Sequence, residues 1–251
     1  MNNTETRVLI AGLDDPDRST RHEAAIALGG VRTAEAAAAL VEHLGVETDC
    51  FVREALTWAT VSVGELAVPG VLEQLRSPEA GVRMQAAHVL SKIGDPEHAE
   101  HLLPVVADAD PGVAVKAYRA AANTGHPSVV PALAGRLGHG DLEQRDALTS
   151  AFATLGESGV GVLVAALADA DASVRAHAAE TLGHLGTPLA DVAAAALRGL
   201  LDDPDAEVRF AAVTALGELA PEASEAALAA ARASDDPRVA AVADHLGRRR
   251  V

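Results

Sequence analysis

The chain has 251 residues, is 49% apolar but only 2% aromatic, and carries a formal net charge of −16. That acidity excludes a nucleic-acid binder built on a basic stripe, because such proteins displace counterions from phosphates with Lys and Arg. The single cysteine, Cys50, excludes an intrachain disulfide, and no stretch approaches the roughly 18 uninterrupted apolar residues that suggest a membrane span.

The first residues, Met1 to Arg7, lack the basic region and long apolar core of a signal peptide, so a cytoplasmic location is expected. The stretch Val8-Leu9-Ile10-Ala11-Gly12-Leu13 matches the end of a short helix and forms a leading half-repeat, 4–13. From there one unit recurs over 14–45, 46–76, 77–107, 108–138, 139–168, 169–201 and 202–233, with a partial copy at 234–251. Aligned on a basic residue, the copies present Arg21, Arg53, Arg83, Lys116, Arg145, Arg175 and Arg209, with Val239 in the eroded last copy. The spacings are 32, 30, 33, 29, 30, 34 and 30 residues, a period of about 31. A fixed period in that range predicts a solenoid, in which each unit buries its apolar face against its neighbours. The whole chain, 1–251, therefore reads as one repeat domain.

Each unit predicts two helices. The first runs from the Val-Arg pair to a Gly eleven after the Arg, as at Gly64, Gly94, Gly156 and Gly186. Apolar residues fall at three, four, seven and ten after the Arg, one face of a helix (Ala178, Ala179, Leu182 and Leu185 in one copy). The second helix is shorter and ends in apolar pairs such as Leu40 and Leu44, or Leu197 and Leu201. Acids collect in the turn before each first helix, for example Asp202, Asp203 and Asp205. There they are expected to cap free amides and oppose the helix dipole. No strand-like alternation bounded by hairpin turns is present, so the chain is all-α, with roughly fifteen or sixteen helices. The array closes on a first helix from Arg238 to Leu246 that has no second helix after it. Terminal half-units of this kind are expected to cap a monomer; end-to-end self-association is the alternative.

The Asp-Pro turn, the Val-Arg pair, the Ala-Ala pair and the Leu-Gly seven and eight after the Arg resemble the HEAT repeat. More narrowly, they resemble the short bacterial HEAT-like repeats first noted in phycobilisome lyases. The likeness runs from about Val8 to Leu246. It implies a right-handed α-solenoid with first helices on the convex side and second helices lining the concave side. It also implies that the Arg ladder is structural, each guanidinium pairing with an acid in a neighbouring turn.

Two motifs invite a chemical reading. His22-Glu23 resembles the iron-binding segment of deoxyhypusine hydroxylase, but that enzyme needs four His-Glu pairs and this chain has one. His98 and His101, flanked by Glu97 and Glu100, form the densest set of metal-ligand types; the alternative is a solvated helix start. A glycosylase-like groove would need basic and aromatic residues together, whereas Phe51, Trp58, Tyr118, Phe152 and Phe210 are scattered. No catalytic residue, cofactor or nucleophile motif is assigned.

A non-catalytic scaffold for a protein or peptide is the expected function, with a lyase-like or biosynthetic enzyme as the alternative. The concave side is expected to expose Glu42, His43, Glu73, Gln74, Arg136 and Arg198, a mixed groove acidic toward the N-terminus and suited to a basic segment. The position five after the Arg is expected to face outward and holds Ile26, Trp58, His88, Ala121, Ser150, Glu180 and Thr214, with Tyr118 on a nearby face. Around Trp58 that surface is either a contact patch or, in an atypical repeat, part of the core. Neither nucleic acid nor membrane is expected as a partner.

Overall fold

The computed structural model describes residues 3–249. Among them are sixteen α-helices, four short 3-10 turns and no strand. Packing gathers the helices into two compact units, one ending at Thr124 and the next beginning at Gly125. No single helix among the described residues is long and apolar enough to cross a membrane.

In the first unit α1 (Asn3–Gly12) packs on α2 (Arg18–Gly29), which is followed by α3 (Ala34–Val46), α4 (Cys50–Val63), α5 (Val68–Gln74), α6 (Ala80–Ile93), α7 (Ala99–Val106) and α8 (Pro111–Thr124). The first helices α2, α4, α6 and α8 pack in sequence, and α3, α5 and α7 lie between consecutive ones along the chain. The second unit repeats the plan with α9 (Val129–Ala134), α10 (Leu142–Leu155), α11 (Glu157–Ala166), α12 (Ala172–Leu185), α13 (Ala194–Gly199), α14 (Ala206–Gly217), α15 (Pro221–Ala231) and α16 (Pro237–Arg249). Leu, Val and Ala fill the interiors, with Tyr118 and Phe152 the largest fully buried side chains.

The acidic turns are helix caps. Asp17, Asp49 and Asp205 each accept two amides from the first turn of the helix that follows, Asp171 accepts one, and Asp141 forms a capping box with Gln144. Each cap carbonyl then accepts from the residue four later, which sets a common frame. That residue is Arg21, Arg53, Arg83, Arg145, Arg175 or Arg209. In the fourth copy the cap is Asp110, whose side chain accepts from Val113 and whose carbonyl accepts from Ala114. The ladder position there is therefore Ala114, and Lys116 stands two residues beyond it. In the last copy Asp236 pairs with Ala240, so Val239 is off by one. The corrected frame also moves the outward position of the fourth copy to Arg119, which is exposed, and buries Ala121 and Tyr118.

Four ladder arginines reach an acid. Arg21 pairs with Glu47, Arg83 with Asp108, Arg175 with Asp203 and Arg209 with Asp236, with shortest contacts of 2.8, 2.7, 2.8 and 2.6 Å. In the first three pairs the acid stands two residues before the next cap. Ser77 fills that place in the third copy, so Arg53 is left with the backbone carbonyls of Glu47 and Thr48. The Nε of Arg145 is buried without a hydrogen-bond partner.

Two glycine positions do different work. The glycine after the first helix has positive φ at Gly64, Gly94, Gly156 and Gly186, a conformation that ends the helix without a Cβ penalty. The Gly of the Leu-Gly pair is instead a close contact between first helices. A Cβ on Gly183 would lie 3.0 Å from the Ala215 Cα on α14, and one on Gly29 the same distance from the Ala59 Cα on α4. Backbone cannot yield as a side chain can. Gly183→Val is therefore expected to lower stability by about 1–3 kcal/mol, whereas Gly199→Ala, facing open space, is expected to be tolerated. Chemical unfolding of the two variants checks this, and equal midpoints would refute it.

Candidate binding surfaces

Helix α3, at 13 residues no shorter than α2 and so unlike the expected short second helix, borders with the short α5 an open cleft of about 1080 Å³. Its apolar floor includes Ala37, Ala38, Val41 and Leu72, with the exposed carboxylates of Glu42 and Glu73 on its walls and one guanidinium, Arg76, beside them. The helices approach closely because α5 carries Gly70: a Cβ there would lie 3.2 Å from Val41 Cγ1. Gln74 also joins them, its Nε2 donating to the Val41 carbonyl at 2.6 Å while its Oε1 is buried without a partner. Gln74 is thus a half-buried strut rather than a free groove residue. His43 is likewise engaged. Its Nδ1 lies 2.8 Å from the Ala39 carbonyl and its Nε2 3.1 Å from Asp14, in the turn before α2.

A second cleft, of about 510 Å³, lies between α2 and α4. Trp58 is 50% exposed, Phe51 56% and Ile26 59%, so this surface is an exposed patch and not core. The His22 ring stacks on Phe51, centroids 4.1 Å apart and planes 11° from parallel. Trp58 donates its Nε1–H to Glu54 at 2.8 Å. His88, expected outside, is mostly covered. Burial, with Lys116 and Lys92 nearby, holds its imidazole below the ordinary histidine range, and its Nε2 lies 3.7 Å from Glu54. Tyr118 is 1% exposed and contributes to neither cleft.

The sequence model for HEAT repeats matches residues 4–60, 68–153 and 160–247. The chain belongs to the HEAT-repeat family. No curated protein matches this HEAT-repeat chain, but many solved structures are similar to it. An engineered protein of the Northeast Structural Genomics Consortium is 24% identical with a TM-score of 0.43, over 96% of this chain and 77% of that one. The complex of CpcE and CpcF of phycocyanin lyase from Nostoc sp. PCC7120 gives 22% and 0.45, over 98% and 94%. Human deoxyhypusine hydroxylase in complex with glycerol gives 22% and 0.41, over 98% and 95%. These likenesses concern the fold alone.

The remaining candidates of the HEAT array are dispersed. His98 is buried where a 3-10 turn meets α7, its Nδ1 without a hydrogen-bond partner, whereas His101 is half-buried on α7 and lines the α3–α5 cleft with Glu42 and Glu73. Among the described residues no three His, Cys, Asp or Glu side chains converge as metal ligands. In the second unit Arg136 is half-buried with an unpartnered Nε. Arg198 is exposed on α13 and lines a cavity of about 870 Å³ with Asp202, Asp235 and the Arg209–Asp236 pair. Charges of both signs meet there, so it favours neither polarity.

The Phe51 wall was missed in the sequence. Phe51 and Trp58 are seven apart on one helix, a spacing that places them on the same face. Aromatics do not recur at one position from repeat to repeat, so the pair shows only when α4 is taken by itself.

Proposed function

We propose that this HEAT array is a non-catalytic scaffold that holds a basic segment of another protein against α3 and α5. The observation that carries the reading is the α3–α5 cleft, in which two exposed carboxylates stand over an apolar floor. An extended chain gains apolar contact from Ala37, Val41 and Leu72, while its Lys or Arg side chains meet Glu42 and Glu73. Such rim charges act mainly on encounter and specificity and are screened by salt.

A fluorescein-labelled peptide alternating Lys with Leu is the probe. Binding followed by anisotropy is expected to weaken as salt rises. In the double variant Glu42→Lys with Glu73→Lys it is expected to weaken about tenfold, since two exposed attractions of up to ~1 kcal/mol each are replaced by repulsion. Affinity unchanged by both the substitutions and salt would overturn the assignment of this cleft.

A further inference from the structure

The α2–α4 cleft shares no lining residue with the α3–α5 cleft and differs from it in chemistry. Phe51 and Trp58 stand two turns apart on α4, about 10 Å at 1.5 Å per residue. Glu54 and Ala55 lie between them. From α2, Ile26 and His22 build the opposite wall, and His22 thickens the aromatic surface by stacking on Phe51. The floor is shallow and small-sided because Gly29 meets the Ala59 backbone directly. An exposed carboxylate thus sits between two exposed aromatic rings.

That carboxylate is held in place. Glu54 Oε1 accepts the Trp58 indole N–H, while Oε2 lies 3.7 Å from His88. Aromatic faces carry negative quadrupole charge and attract cations. The protein itself uses this: Lys92, from α6, places its Nζ 5.0 Å from the Trp58 centroid, and Arg238 lies 5.6 Å from the Phe210 centroid. Lys92 belongs to α6, which packs on α4, and it is not among the residues that line the cleft. Phe51, Glu54 and Trp58 all line the cleft, and no lysine or arginine is among its lining residues.

We propose that the α2–α4 cleft is a second binding site, one that receives the guanidinium of an arginine-bearing segment from a partner. A guanidinium is planar and weakly hydrated, so it stacks on Phe51 or Trp58 while its N–H groups reach the Glu54 carboxylate. An ammonium is a strongly hydrated point charge and gains less from such a slot.

Trp58 is the only tryptophan in the chain, so its emission reports on this cleft alone. Titration with acetyl-Gly-Arg-Gly-amide is expected to give a saturable change in emission. The same peptide with citrulline, which keeps the planar shape but loses the charge, and the lysine peptide are both expected to bind about tenfold more weakly. Glu54→Gln retains the acceptor for the indole and is expected to weaken the arginine peptide about tenfold. Phe51→Ala is expected to do the same, with circular dichroism confirming the fold of both. The pair Glu42→Lys and Glu73→Lys is expected to leave this titration unchanged, which separates this site from the one above. Equal binding of the citrulline peptide would reduce the cleft to an apolar groove. Equal binding of the lysine peptide would remove the guanidinium assignment. No saturable response to the arginine peptide would remove the site.

Discussion

Asp203→Ala is expected to cost the second unit about 3–5 kcal/mol, the range for breaking a buried ion pair by removing one partner. The Asp203 side chain is 6% exposed and that of Arg175 12%. The pair is bidentate, with Nε donating to Oδ2 at 2.8 Å and a terminal nitrogen to Oδ1 at 2.9 Å. Oδ1 also accepts the Asp205 amide in the turn that starts α14. Alanine therefore strands a guanidinium that is otherwise tied only to the Asp169 and Ala170 carbonyls, and it frees a turn amide. Asp203→Asn keeps an acceptor for that amide and is expected to lose less. Burial alone raises the Asp203 pKa, but Arg175 and the Asp205 amide outweigh it and hold the carboxyl below its ordinary value. The sign follows: this contribution is present above the ordinary carboxylate pKa and is lost as pH falls toward the depressed one. Urea unfolding at neutral pH measures the loss. A value below about 1 kcal/mol would place the pair with exposed surface bridges.

The same pair shows how far the sequence was legible. Ladder arginines were visible because each sits four residues after the acid at the N-cap position, a constraint of one helical turn. The fourth copy misled because Val115-Lys116 imitates the Val-Arg pair, whereas the cap at Asp110 places Ala114 at the ladder position. Tyr118 and Ala121 were misplaced by that two-residue slip. The apolar periodicity gave the helices, and exposure of Glu42 and Glu73 followed from helical register. His43 and Gln74 did not follow, since their partners, Asp14 and the Val41 carbonyl, belong to preceding elements brought close by packing. The α2–α4 cleft was half legible. Its α4 rings share a face by spacing, but the His22 stack needs the close helix approach that Gly29 permits.

Acid is expected to weaken the second unit through His177. This imidazole is 1% exposed, and its Nδ1 accepts the Gly138 amide at 3.1 Å. An N–H donor at that nitrogen fixes it as unprotonated, so the ring proton is on Nε2, beside the Arg145 carbonyl at 3.2 Å and the Thr149 hydroxyl at 3.1 Å. Burial pushes the pKa from 6.5 down to about 4; the bond to the Arg145 carbonyl opposes the shift and the Arg145 charge adds to it. Between those two values the unfolded chain binds a proton that the folded chain refuses. The His177 contribution therefore favours the folded state fully only above pH 6.5, and this group alone withdraws about 3 kcal/mol as pH falls to about 4. His177→Gln supplies an acceptor for Gly138 and a donor for Arg145 but does not titrate. The difference in unfolding free energy between the parent and this variant, measured from pH 7 to pH 4, cancels the other histidines and the carboxylates. It is expected to shift by about 3 kcal/mol in favour of the variant as pH falls; parallel curves would mean that His177 is not held neutral by the fold.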